Sequence, residues 1–212
     1  MLNDFKKILV LAPHTDDGEL GCGGTIAKLV DEKKQVFYVA FSSAEKSIPK
    51  GLPKDILKKE IKRVMKILGL PERNLILLNY EARNFPQYRQ EILEDMVKLN
   101  QKIKPDLVFL PSTYDTHQDH QVISQEGFRA FKKVSLLGYE LPWNNLTFST
   151  EGFIILKEKD IQKKIKALSC YKSQSAKFYM SGDFIKSLAK TRGVQIGVPY
   201  AEAFEVIRWI IK

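Results

Sequence analysis

A chain of 212 residues, 44% hydrophobic and 28% charged, is long enough for one buried α/β core and too apolar to be disordered. It holds no run of about 18 apolar residues, so no membrane span is expected, and two cysteines, Cys22 and Cys170, are too few for a disulfide scaffold and suit a reducing cytoplasm. The formal net charge of +9 admits nucleic acid, an anionic surface or an anionic substrate as partner. Yet the lysines in stretches such as residues 52–69 alternate with apolar residues at helical spacing, as on a solvated helix face, and no nucleic-acid motif is present.

Short apolar, β-branched runs alternate with longer amphipathic ones. Residues 7–12 (KILVLA) read as a buried strand, 23–34 as a helix, 35–43 as a second strand and about 54–69 as a helix. A third strand is expected at 74–79, a helix at 88–104 ending before Pro105, a fourth strand at 106–111 and a helix from about 120 to 133. Such alternation implies βαβ units and a parallel sheet buried on both faces. Beyond residue 134 the rhythm loosens. Strands are expected at 135–141, 151–157 and 202–212, with a helix at 159–174. No linker or repeat interrupts the chain, so residues 1–212 are read as one domain.

Two stretches carry chemistry. The first, APHTDDGEL (12–20), follows the first strand. The second, STYDTHQDHQ (112–121), follows the fourth. In open α/β sheets ligands bind beyond the carboxyl ends of the strands where strand order reverses, and strands one and four are the usual neighbours there. The chain has only three histidines, His14, His117 and His120, and all fall in these two stretches. Two histidines and one aspartate would supply an open zinc site with a position left for water. Each residue also has an ordinary reading: a solvated loop histidine, Asp16 and Asp17 as helix-start acids, His117 and His120 as capping or surface residues. The coincidence of every histidine at two strand ends favours a site. The glycines of GELGCGGT (18–25) lack the dinucleotide-binding spacing and read as close helix–sheet packing. Cys22 reads as a small buried residue, and Glu19 as a supporting or structural carboxylate.

These residues also carry a resemblance. Residues 12–29 (APHTDDGELGCGGTIAKL) resemble the signature of the LmbE-like, or PIG-L, family of zinc-dependent N-acetylglucosaminyl deacetylases, and THQDH (116–120), with Tyr114 and Asp115 before it, is similar to that family's second signature. ALSCYKSQ (167–174) and GVPYAEAFEVI (197–207) are similar to its C-terminal half. Thr15 and Gln118 stand where the family commonly has proline. The resemblance implies a Rossmann-like three-layer α/β sandwich with a mostly parallel central sheet and a C-terminal strand-helix extension. It implies Zn2+, or another divalent metal, held by His14, Asp17 and His120. Asp16 would act as general base, His117 would stabilise the tetrahedral intermediate and protonate the departing amine, and Asp119 would orient a histidine. Arg83, with Arg89 behind it, and Tyr114 are the substrate-binding candidates. The expected activity is removal of an acetyl group from an N-acetylated amino sugar or sugar conjugate in the cytoplasm, without nucleic acid, and with homo-oligomerisation left open. Two alternatives stand beside it: a zinc hydrolase of another small-molecule amide, and a non-catalytic nucleotide or nucleic-acid binding domain.

Overall fold

In the computed structural model, which describes residues 4–49 and 51–211, seven strands form one sheet in the order β3-β2-β1-β4-β5-β7-β6. The strands are β1 (Lys7–His14), β2 (Gln35–Ser42), β3 (Leu75–Leu77), β4 (Leu107–Pro111), β5 (Ser135–Tyr139), β6 (Gly152–Ile155) and β7 (Ala201–Arg208). The first five run parallel. β7 is antiparallel to both of its neighbours. Alternate side chains of the central strands enter two separate cores, as a period of two requires. Ile8, Val10, Ala12, Tyr38 and Phe109 face one core; Leu9, Leu11, Val39, Phe41 and Leu110 face the other. The first core is roofed by helices α1 (Asp17–Asp31), α2 (Ile56–Leu68), α5 (Glu158–Leu168) and α6 (Gly182–Val194), the second by α3 (Arg89–Ile103) and α4 (Gln118–Ala130). The sheet is therefore mostly parallel and lies between two helix layers, as expected. No helix among the described residues is long and apolar enough to cross a membrane.

β1 and β4 are neighbours, with Ile8 opposite Leu107. From β1 the chain steps outward to β2 on one side, and from β4 to β5 on the other. The carboxyl ends of β1 and β4 thus flank the crevice where strand order reverses.

Several boundaries differ from the sequence reading. β1 runs on to His14, and α1 begins at Asp17 rather than 23, broken by a non-helical Cys22 (φ −140°, ψ 28°). The break is spliced from outside. The Gly24 and Thr25 N–H groups donate to Glu202 of β7 at 3.0 and 2.7 Å, while Lys164 of α5 donates to the Leu20 carbonyl and to Glu202, both at 2.7 Å. The groups a broken helix orphans are met by one buried ion pair. Lys164→Met should leave Glu202 charged and buried without its cation, at a cost of about 3 kcal/mol. A denaturant midpoint equal to that of the unaltered chain would refute this role. α5 stops at Leu168 because Tyr171 turns inward and Ser173 is caught by Glu60 of α2. α6 lies where no element is expected from the sequence. It is capped by Ser181, whose Oγ accepts from Phe184 N–H at 3.2 Å. The expected strand at 202–212 shortens to β7, and Lys212 lies outside the described residues.

Candidate metal centre

His14 is the last residue of β1, and Asp17 the first of α1. The two-residue turn between them folds Asp17 back, so that its Oδ2 accepts from the His14 backbone N–H at 2.8 Å and lies 3.1 Å from His14 Nδ1. His120, on the first turns of α4, brings its Nε2 to 3.3 Å from the same Oδ2 and 3.4 Å from His14 Nδ1. Three donor atoms thus form a near-equilateral triangle. Ligands at zinc's roughly 2.0–2.1 Å bond lengths in tetrahedral geometry stand about 3.3 Å apart, so two imidazoles and a carboxylate at these separations fit such a cation.

The outer nitrogens of both rings are held as well. His14 Nε2 lies 2.9 Å from Asp119 Oδ2, and His120 Nδ1 lies 2.8 Å from Asp115 Oδ2. A carboxylate behind each imidazole fixes its orientation and raises its basicity. The same groups make the triangle a place that favours positive charge. Burial opposes a charged ring, but Asp17 and the supporting carboxylates outweigh it, raising His14 to about 9 and His120 to about 10. Burial also opposes charge on Asp17, yet the facing imidazoles hold its carboxyl well below the usual range.

His117 stands beside the triangle, its ring 4.5 Å from that of His120 and 5.1 Å from that of His14. The three histidines can offer nitrogens within 4.8 Å of one another, a looser set than the triangle completed by Asp17. His117 caps α4: its Nδ1 accepts from the Asp119 N–H at 3.1 Å, which places the ring proton on Nε2. Burial and the two neighbouring imidazoles push its pKa down to about 4, so near neutrality this ring is an uncharged N–H donor. The histidine that the Asp119 side chain meets is His14. Asp119 also accepts from the backbone N–H groups of Arg83 (2.6 Å) and Phe85 (3.2 Å). Those bonds hold Arg83 at φ 74°, a left-handed conformation that costs a non-glycine residue about 1 kcal/mol.

A cleft of about 220 Å³ opens over these groups, lined by His14, Asp16, Asp17, Arg83, His117 and His120. Burial and adjacent Asp17 raise the Asp16 carboxyl; Lys177, its Nζ 3.8 Å from Asp16 Oδ2, acts in the other direction. Tyr114 is 40% exposed and is not among the lining residues, and Arg89 pairs with buried Glu126 instead. Glu19 is fully buried, its carboxyl reached by the hydroxyls of Tyr38 and Tyr171 and pushed by burial up to about 8. It ties the motif to β2 and to the segment after α5. Cys22 packs in the break of α1 and stays out of the triangle; burial pushes its thiol well up.

The second wall of the cleft comes from the C-terminal half: Trp143, Asn144, Gln174, Lys177 and Tyr179. Of these, Lys177 and Tyr179 have no sequence signal, whereas Trp143, Asn144 and Gln174 lie in YELPWNN (139–145) and YKSQ (171–174), stretches whose aromatic and polar content suits a sugar-facing wall. Asp115 could be found beforehand only by its place before the two histidines. The Asn144 carbonyl accepts from Thr116 N–H at 3.0 Å and Thr116 Oγ1 at 2.8 Å, and Glu205 of β7 accepts from Ser112 Oγ and Thr113 N–H, both at 2.8 Å. The loop bearing the second motif is thereby fastened to both neighbouring segments.

Residues 9–131 match the family model described as PIG-L, GlcNAc-PI de-N-acetylase. The chain is 31% identical over 179 residues to an uncharacterized deacetylase, YaiS, of Escherichia coli (strain K12), covering 81% of this chain and 93% of that protein. It is 32% identical over 144 residues to the diacetylchitobiose deacetylase of Thermococcus kodakarensis, covering 64% of this chain and 52% of the relative, so it spans about half the length of that enzyme. Among solved structures, N,N'-diacetylchitobiose deacetylase from Pyrococcus horikoshii in complex with an inhibitor superposes with a TM-score of 0.83 at 25% identity, over 97% of this chain and 85% of the other.

Proposed function

From the premise that this chain belongs to the PIG-L, GlcNAc-PI de-N-acetylase, family, we propose that it hydrolyses the acetamide of an N-acetylglucosamine-type sugar or sugar conjugate. The observation that carries this reading is the triangle of His14 Nδ1, Asp17 Oδ2 and His120 Nε2, with a carboxylate, Asp16, and an imidazole, His117, that stand outside it on the same cleft. His14, Asp17 and His120 would hold a divalent cation, with zinc favoured by the nitrogen-rich donor set. When bound, such a cation polarises an amide carbonyl and lowers the pKa of water from about 15.7 to about 7.

The remaining work falls to the protein's own groups. Asp16 accepts the proton of the attacking water. Its neighbour Asp17 is tied up by two imidazoles and is not free to do so. His117 donates its Nε2–H to the amide oxygen as charge develops there. The C–N bond then breaks as the nitrogen takes the proton held on Asp16, leaving a primary amine and acetic acid, which ionises to acetate. In this reading the amine takes its proton from Asp16 and not from His117, because burial and the two neighbouring imidazoles disfavour charge on that ring. Arg83 lines the cleft, its backbone N–H donating to Asp119, and would bind a substituent of the sugar. Two unpaired cysteines suit a reducing, cytoplasmic setting.

Acetate release from N-acetylglucosamine, its phosphate and nucleotide derivatives and diacetylchitobiose tests the reading. Metal-loaded protein that releases acetate from none of them would overturn it and favour a different amide. In an active preparation, His117→Ala should lower kcat about 10²–10³-fold, as loss of one oxyanion donor does. Its metal content and KM should stay close to those of the unaltered protein. A rise in KM at constant kcat would make His117 a ground-state contact instead.

A further inference from the structure

The family match ends at residue 131, but the cleft has a second wall beyond it, and one residue of that wall reaches the reaction centre. Lys177 Nζ lies 3.8 Å from Asp16 Oδ2. Asp17 is fixed by His14 and His120, whereas Asp16 is met by this ammonium.

The side chain of Lys177 is 41% exposed, but its backbone is pinned. Its backbone N–H donates to the Gln174 carbonyl, and its carbonyl accepts from Met180 N–H, both at 3.0 Å. The segment before it is anchored through Ser173, whose N–H and Oγ donate to buried Glu60 of α2 at 3.0 and 2.6 Å. The ammonium stands 5.5 Å from the centroid of the Tyr179 ring, within range of a cation–π contact. Tyr179 in turn stacks on Trp143 with centroids 3.8 Å apart and planes 8° from parallel, and Phe184 of α6 stands 6.1 Å behind Trp143. An ordered line of contacts therefore runs from α6 through two aromatic rings and one lysine to Asp16.

We infer that Lys177, oriented by the stacked Tyr179 and Trp143, is the positioning residue that holds the Asp16 carboxylate towards the attacking water. The inference rests on the function proposed above. A carboxylate beside a second carboxylate is repelled from the orientation the reaction requires. A fixed ammonium offsets that repulsion and fixes the rotamer. Misplacing a reacting group by about 1 Å can cost on the order of 100-fold in rate.

The experiment is a double-mutant cycle on the metal-loaded full chain, with acetate release as the readout. Lys177→Met should lower kcat by on the order of 10–100-fold with KM little changed. Lys177→Arg should recover most of the loss. In an Asp16→Asn background, Lys177→Met should cost nothing further, because the group it positions is already gone. The chain has two tryptophans, and Trp209 packs on Phe5 away from the cleft, so emission from Trp143 in a Trp209→Phe background reports the stack. That emission and the metal content should be unchanged by Lys177→Met. An equal loss in both backgrounds, a rise in KM at constant kcat, or altered emission or metal content overturns the inference while leaving the function standing. An unaltered chain that cleaves no N-acetyl sugar overturns both.

Discussion

His120→Ala should strip the protein of its cation. The proposed ligands are the three donor atoms at 3.1–3.4 Å from one another, and removing one would leave two, of which one is a single carboxylate oxygen. Because supporting residues alone contribute about 10–100-fold to metal affinity, a direct ligand should contribute more than that. Metal per chain after dialysis, measured by elemental analysis, should fall from about one to near zero, in keeping with a mononuclear open site. Asp115→Asn, which weakens the carboxylate behind His120 Nδ1, should give the milder loss of about 10–100-fold in affinity. Full occupancy in His120→Ala would take this residue out of the ligand set.

Asp16→Asn should separate chemistry from metal binding. The substitution keeps size and shape and removes the negative charge together with the ability to take a proton. Turnover should fall by about 10²–10⁴-fold, the usual contribution of a positioned general base. Metal content should be retained, since Asp16 is not part of the triangle. Asp17→Asn should do the opposite first: Asp17 Oδ2 accepts from the His14 N–H and lies against both ligand imidazoles, so its loss should release the cation. If Asp16→Asn loses metal and Asp17→Asn keeps it, the roles of the two neighbours are exchanged.

Between the two aspartates the distinction is one of direction, which the bare dipeptide does not contain. The sequence could place His14, Asp16 and Asp17 at a strand end because the apolar run before them and the glycine-rich helix start after them are local signals. The family resemblance then divided their roles. Only the fold displays why they differ: Asp17 begins a helix and folds back on His14, whereas Asp16 sits in the turn and faces the cleft. His117 illustrates the limit further. Its place in the motif was plain, but its charge state depends on two imidazoles from different strand ends and on burial, which together keep it neutral.

The alternation of strands and helices, the neighbouring of β1 and β4 and the gathering of all three histidines at one crevice followed from the sequence. Each depends on short-range periodicity or on a topology rule common to open α/β sheets. The splice of α1 by Lys164 and Glu202, the helix α6 and the wall of Trp143, Lys177 and Tyr179 did not. The partners of the splice meet across 38 to 178 residues of chain, as Lys164 meets Glu202 and Gly24 meets Glu202. No local pattern records such a meeting, because what brings the partners together is the summed packing of α5, α6 and β7 on the first core. The sequence by itself determined that all three histidines and the pair Asp16 and Asp17 fall just after two apolar strands. The tertiary structure decided which of the two carboxylates lies against the imidazoles, and which lysine stands against the other.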